Sequence, residues 1–119
     1  MLNKKFRLNK KKDIANIFRK TKPTYTKGLI FRSYYQKKNE DAGVSRFLFI
    51  ISTKVEKRAV YRNQIRRRLQ AISQELISSI KKGYDIIVIV KPGQFPDNYN
   101  EIKKEFLTGL DKSNLFNDK

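Results

Sequence analysis

The chain has 119 residues, is 39% hydrophobic, and carries 28 Lys and Arg against 11 Asp and Glu, a formal charge of +17. It contains neither cysteine nor histidine, which excludes disulfides, thiolate chemistry, imidazole metal sites and every Ser-His or Cys-His nucleophile. So large a positive excess exceeds what solubility needs and points to a polyanionic partner.

The length suits one hydrophobic core, so a single domain over residues 1–119 is expected. The longest apolar stretch, Ile86 to Val90, is too short to cross a bilayer, and no apolar run follows the N-terminal charges. A cytoplasmic protein is expected.

The first 22 residues hold nine Lys or Arg and one acid, Asp13. A basic arm over about residues 1–9, either flexible or clamped, leads into a predicted helix capped by Asn9 and running to about Lys20. Ile14, Ile17 and Phe18 fall on one face of it at i, i+3 and i+4. Between Lys22 and Gly28 there is room for a short strand. Leu29 to Gln36 and Arg46 to Thr53 are rich in β-branched and aromatic residues, with the polar K-K-N-E-D-A-G loop between them, which predicts an antiparallel pair. Next comes a basic helix with an apolar stripe at Ile65, Leu69, Ile72, Leu76 and Ile80, ended by Lys82-Gly83. Asp85 to Lys91 is apolar without alternation and is predicted to be a central strand, covered on both faces. Pro92-Gly93 and Pro96 break the chain before a last helix marked by Ile102, Phe106, Leu107 and Leu110. The order αββαβα is that of an α+β protein.

The charge is densest between Lys54 and Gln70, where seven cations accompany one acid. Arg62, Arg66, Arg67 and Arg68 are expected near the start of the basic helix, where the macrodipole disfavours cations by about 0.3 to 1 kcal/mol each. A bound phosphate reverses that sign, because guanidinium forks and helix dipole then act together. An ordinary solvated face is the alternative, but such faces interleave Glu with Lys at i, i+4. No residue from Lys57 to Gln74 is acidic. Arg62, Asn63, Arg66 and Arg67 are therefore the expected nucleic-acid contacts, with Lys54, Arg58 and Arg68 adding positive field. Asn63 suits a phosphate, a 2′-hydroxyl or a backbone bond at the helix start.

Aromatic residues on a sheet stack on unpaired bases or fill a core. On the Leu29 to Gln36 strand, Arg32, Tyr34 and Gln36 share one face, and Phe31, Ser33 and Tyr35 the other. If Leu29, Phe31 and Tyr35 point inward, Arg32 and Tyr34 face a groove with Phe18 of the first helix. Each aromatic also suits simple core packing. The carboxylates Asp13, Glu56 and Asp85 are far apart in sequence, so neither a metal site nor a catalytic residue is assigned on this chain.

I-S-T-K at Ile51 to Lys54, followed by R-N-Q-I-R-R at Arg62 to Arg67, resembles the signature of the bacterial ribonuclease P protein family, V-S-K-K followed by R-N-R-I-K-R. The opening F-R-L-N-K-K-K-D-I-A-N-I-F and the strand G-Y-D-I-I-V-I-V-K-P resemble two further family segments in the same order. Gln64, Thr53, Ile14 and Gln70-Ala71 depart from the pattern, at positions where an Arg, a Lys, an aromatic and Arg-Glu are usual. The resemblance implies a two-layer α/β sandwich, with three helices on a mostly antiparallel sheet of about four strands. It also implies a left-handed βαβ crossover, where sequence physics alone favours a right-handed one. It further implies that the chain binds a catalytic RNA and the 5′ leader of precursor tRNA, the leader in a groove of Phe18, Arg32 and Tyr34. By the same resemblance the RNA carries the hydrolytic Mg²⁺, this chain supplies no nucleophile or cofactor, and no protein partner is required. Two rivals remain: a structural RNA-binding protein of ribosomal type, and electrostatic attachment to an anionic membrane.

Overall fold

The structure, a computed structural model, describes residues 6–92 and 98–117. Its elements in chain order are α1 (Lys11–Lys20), β1 (Thr24–Tyr25), β2 (Leu29–Tyr35), α2 (Lys37–Asp41), β3 (Arg46–Ile50), α3 (Ala59–Leu76), β4 (Tyr84–Val90) and α4 (Tyr99–Lys112). The four strands form one sheet in the order β1-β2-β4-β3. β1 with β2 and β2 with β4 run antiparallel, while β3 with β4 run parallel, so the sheet is mostly antiparallel as expected.

The apolar run of β4 explains the order. Ile86, Ile87 and Val88 are fully buried, and a strand that is apolar on both faces has to lie inside a sheet. β4 therefore sits between β2 and β3, pairing Phe31 with Val88 on one side and Phe49 with the same Val88 on the other. This overturns the antiparallel pair expected of β2 and β3, which do not touch along their edges. Instead β3, α3 and β4 form a parallel βαβ unit. The polar segment between β2 and β3, expected as a loop, forms the short helix α2.

Alternation along the strands divides the side chains between two cores. Leu29, Phe31, Phe47, Phe49, Ile86, Val88 and Val90 face α3 and α4, meeting Leu69, Ile72, Ile102, Phe106 and Leu110. Phe31 packs edge-on against Phe106, with ring centroids 5.5 Å apart. On the opposite face Ile87 packs with Ile17 of α1 and with Leu8, flanked by Ile14, Tyr34, Leu48, Ile50 and Ile89, which are only partly buried. One face of the sheet is thus fully covered and the other only in part.

Several boundaries differ from expectation. Asn9 does not cap α1, whose N-cap is Lys10, with no side-chain capping bond. Of the basic arm, residues 6–9 are described and are clamped: Leu8 is buried, and its N–H donates to the Phe47 carbonyl at 2.8 Å along the free edge of β3. α3 ends at Leu76, short of the expected Lys82-Gly83, and passes into a 3-10 turn over Ile77–Ser79. Ile80 is still buried because, in extended conformation, it bridges to Phe116 near the C-terminus. Gly83 then takes φ +98°, a conformation that favours glycine, to enter β4. The Gly93 and Pro96 breaks lie outside the described residues.

Candidate nucleic-acid interface

α3 begins at Ala59 with Arg58 as its N-cap, so the dipole argument applies less widely than the sequence suggests. Arg62 lies within the first turn or so, but Arg66, Arg67 and Arg68 are seven to nine residues into the helix, roughly 10 to 14 Å along its axis. Beyond the first turn the dipole no longer disfavours them. Arg67 lies opposite Leu69 and Ile72 and is exposed, whereas Arg62, Arg66 and Arg68 are half-buried on the two flanks of that apolar seam.

The cations differ in what engages them. Nη1 of Arg62 donates to the carbonyls of Glu56 at 2.9 Å and Lys57 at 2.7 Å, so this guanidinium ties the preceding loop to the helix. Arg66 donates from Nη1 to Oδ1 of Asn63 at 2.8 Å, a bond between two members of the predicted set. Arg58 pairs with Glu56, its Nη2 at 2.9 Å from Oε1 and its Nε at 3.2 Å from Oε2. Hydrogen bonds from Arg58 lower the pKa of Glu56 to about 2, and the same pairing raises that of Arg58. Arg58 is thus a member of the predicted set that is committed to an acid. Arg67 and Lys54 are exposed and have no partner among the described residues.

The basic flank of α3 continues onto the N-terminal strap. Arg66 and Gln70 line a recess of about 190 Å³ together with Arg7, Leu8, Asn9 and the edge of β3. From there the chain turns directly into α1, which carries Lys11, Lys12, Arg19 and Lys20.

α1 crosses the partly covered sheet face. Here the structure brings together the three groove residues chosen from sequence. The guanidinium carbon of Arg32 lies 5.0 Å from the Phe18 ring centroid. Phe18 is 38% exposed. Tyr34 stands two residues along the same face of β2, with Nζ of Lys20 at 5.7 Å from its ring centroid, a contact that sequence reading missed. The condition attached to the groove holds for Leu29 and Phe31, which are buried, but not for Tyr35, which is 46% exposed at the end of β2. Arg32 also has a structural role, since its Nη1 donates to the Thr21 carbonyl at 2.6 Å and so fastens the C-terminal end of α1.

The N-terminal end of α1 is fastened by a network that sequence reading did not find. Asp85 of β4 is completely buried and accepts from Nε and Nη2 of Arg46, Nε2 of Gln36 and Nδ2 of Asn39, at 2.5 to 2.8 Å. Nη2 of Arg46 reaches on to Asp13 of α1 at 3.1 Å, and Lys38 pairs with the same carboxylate at 3.1 Å. Asp13 and Asp85, distant in sequence, thus meet through one arginine. The available signal was an acid opening an otherwise apolar strand in a chain with cations to spare. Among the described residues, no group of three or more Asp or Glu is arranged to hold a metal ion.

A clamped strap, an arginine-rich helix and a sheet face only partly covered by α1 define a small, basic α+β protein of the nucleic-acid-binding kind. The model of the ribonuclease P family matches residues 2–114, and the chain belongs to that family. Ribonuclease P protein components of Synechococcus elongatus and a Cyanothece species are similar to it. The first is 39% identical, aligned over 73% of this chain and 71% of the relative; the second is 30% identical over 97% of each. That of Microcystis aeruginosa is 40% identical over 61% of each chain. The fold matches the RNase P protein of Staphylococcus aureus at TM-score 0.82, with 23% identity over 94% of this chain and 98% of that one. It matches the Thermotoga maritima protein at 0.72, with 20% identity over 86% and 92%. The chain is thus a protein component of a tRNA-processing ribonucleoprotein.

Proposed function

We propose that this chain, acting as one domain in the cytoplasm, binds the RNase P catalytic RNA and the 5′ leader of precursor tRNA, and thereby promotes 5′ maturation. The outer face of α3 and the loop before it, from Lys54 and Arg58 through Arg62, Asn63, Arg66, Arg67 and Arg68, lie against the catalytic RNA. The groove of Phe18, Arg32 and Tyr34 takes the single-stranded leader. Guanidinium groups there meet phosphates, and aromatic rings stack on bases. The observation that carries this reading is the recess in which Arg66 and Gln70 of α3 meet the strap at Arg7 to Asn9, next to the cations of α1.

Hydrolysis belongs to the RNA and its Mg²⁺ in this reading, because the chain has no histidine or cysteine to act as base or nucleophile. Its own contribution is electrostatic and positional. Neutralising phosphate repulsion lowers the Mg²⁺ concentration at which the ribonucleoprotein assembles and holds substrate.

Reconstitution tests this directly. Catalytic RNA and precursor tRNA at low Mg²⁺ are expected to regain 5′ cleavage when the chain is added; RNA binding without cleavage would instead favour a structural RNA-binding role. Phe18→Ala is expected to weaken binding of precursor tRNA by about 1–3 kcal/mol, with little effect on mature tRNA, which has no leader. Equal loss for both RNAs would remove the groove from leader recognition.

A further inference from the structure

The basic segment that leads into α3 carries one acid. Glu56 is the only acid between Asp41 and Glu75, and it lines an open recess of about 560 Å³ with Arg58, Tyr61, Gln64, Ile65 and Arg68. Tyr61, Gln64, Ile65 and Arg68 are spaced at i, i+3, i+4 and i+7, so they occupy one flank of the helix. The loop before the helix closes the other side.

The chemistry of this recess differs from that of the arginines around it. The Arg58 guanidinium lies 4.0 Å from the Tyr61 ring centroid. Glu56 holds it there by the two side-chain contacts, and also accepts from the Arg58 backbone N–H at 3.0 Å. With its fork engaged by a carboxylate, Arg58 offers a flat surface more than a phosphate clamp. Tyr61 is 42% exposed, so part of its ring remains open to a second planar group. Ile65, partly buried, supplies apolar surface. Gln64 is exposed and its amide has no partner among the described residues.

With Glu56 and Arg58 neutralising one another, this wall attracts a phosphate less than an open arginine does, whereas a neutral planar group with an exocyclic amine loses nothing by lying against it. A carboxamide pairs two-pronged with adenine, donating and accepting at once, while an arginine, with donors only, matches guanine. Gln64 is the position at which the family signature carries arginine, so the substitution changes which base the flank matches.

We propose that this recess is a subsite for one unpaired adenine, held by stacking on Tyr61 and Arg58 and read by the Gln64 amide, with Arg68 steering the adjoining phosphate. The proposal rests on the RNA-binding reading above in taking the adenine to belong to the bound RNA rather than to a free nucleotide.

The test follows the Gln64 side-chain amide by nuclear magnetic resonance in the full-length chain, titrated in turn with AMP, GMP, CMP, UMP and inorganic phosphate. AMP is expected to shift this signal several-fold more than the others. Tyr61→Leu is expected to abolish the selectivity, with backbone dispersion confirming that the variant folds, and Gln64→Arg to move the preference to GMP. Equal responses to all four nucleotides, a response to phosphate alone, or no response overturns the subsite. Saturating catalytic RNA is expected to displace AMP. AMP that stays bound to the RNA complex overturns the assignment to RNA and leaves a free-nucleotide site. Binding of the catalytic RNA is measured separately by filter retention, so failure of the RNA-binding reading is distinguishable from failure of the subsite.

Discussion

Arg46 grips Asp85 with two prongs, Nε to Oδ1 at 2.7 Å and Nη2 to Oδ2 at 2.8 Å, on a carboxylate with no solvent exposure. The pair joins β3 to β4 at the end where the parallel ladder begins. Gln36 and Asn39 fill the remaining lone pairs, so desolvation is offset by full hydrogen bonding rather than by one contact.

Removing the cation alone leaves a buried charge without a counterion. Arg46→Met is therefore expected to lower stability by about 3–5 kcal/mol, measured as a fall in the urea midpoint at unchanged slope. A loss within about 1 kcal/mol would mean that Asp85 is satisfied by the amides alone.

Asp13 extends this network to α1, and its pKa gives the network a pH dependence. Burial pushes the pKa up, but hydrogen bonds and charge from Lys38 and Arg46 outweigh it and hold the carboxyl below its ordinary value. A depressed folded-state pKa contributes stability that is complete above the unfolded value, about 3.9, and lost as pH falls through the folded one. Asp13→Asn is expected to flatten the acid limb of a stability–pH curve below about pH 4. Glu56 and Glu75 are shifted the same way, so some slope remains in the variant. Identical acid limbs for variant and parent would show that the Asp13 contacts do not persist in solution.

Gly109 of α4 tests how tightly the helical layer is seated on the sheet. A β-carbon at this position would run into the Phe31 ring, which Phe106 holds from another side. Gly109→Ala is expected to cost about 1–3 kcal/mol by overpacking, even though alanine is the better helix former by roughly 1 kcal/mol. Thermal denaturation reads the sign: a rise in Tm would show that α4 moves away at little cost.

Arg67 and Arg62 separate binding from folding. Arg67→Ala is expected to leave stability within about 0.5 kcal/mol, and to reduce the salt slope of catalytic-RNA binding by about 0.7 to 0.9 for one lost phosphate contact. Arg62→Ala should lower both, because its guanidinium also holds the Glu56 and Lys57 carbonyls. Unchanged salt slopes for both variants would take the outer face of α3 off the RNA.

The apolar face of each long element was readable because burial repeats with the local geometry. Period two placed Leu29 and Phe31 opposite Arg32 and Tyr34, and period 3.6 placed Leu69 and Ile72 opposite Asn63 and Arg67. The same periodicity misjudged the end of α3, since Ile80 continues the helical stripe yet is buried from an extended conformation. Strand pairing was not readable from the β2 and β3 segments themselves. Their short separation suggests a hairpin, and the preference of β4 for an interior position overrides it.

Composition alone determined that the chain lacks imidazole and thiol chemistry and pointed to a polyanionic partner, because these follow from which residues are present. Motif order placed the arginine row and the strand that carries Asp85, because both are local. Only the tertiary structure decided which cations are engaged and which are open. It was also needed to show that Asp13 and Asp85 share one arginine, and that Phe18 of α1 meets Arg32 of β2. Ion pairs and ring contacts depend on where distant segments meet, and the strand order that brings them together is set by the burial of the whole sheet rather than by any single segment.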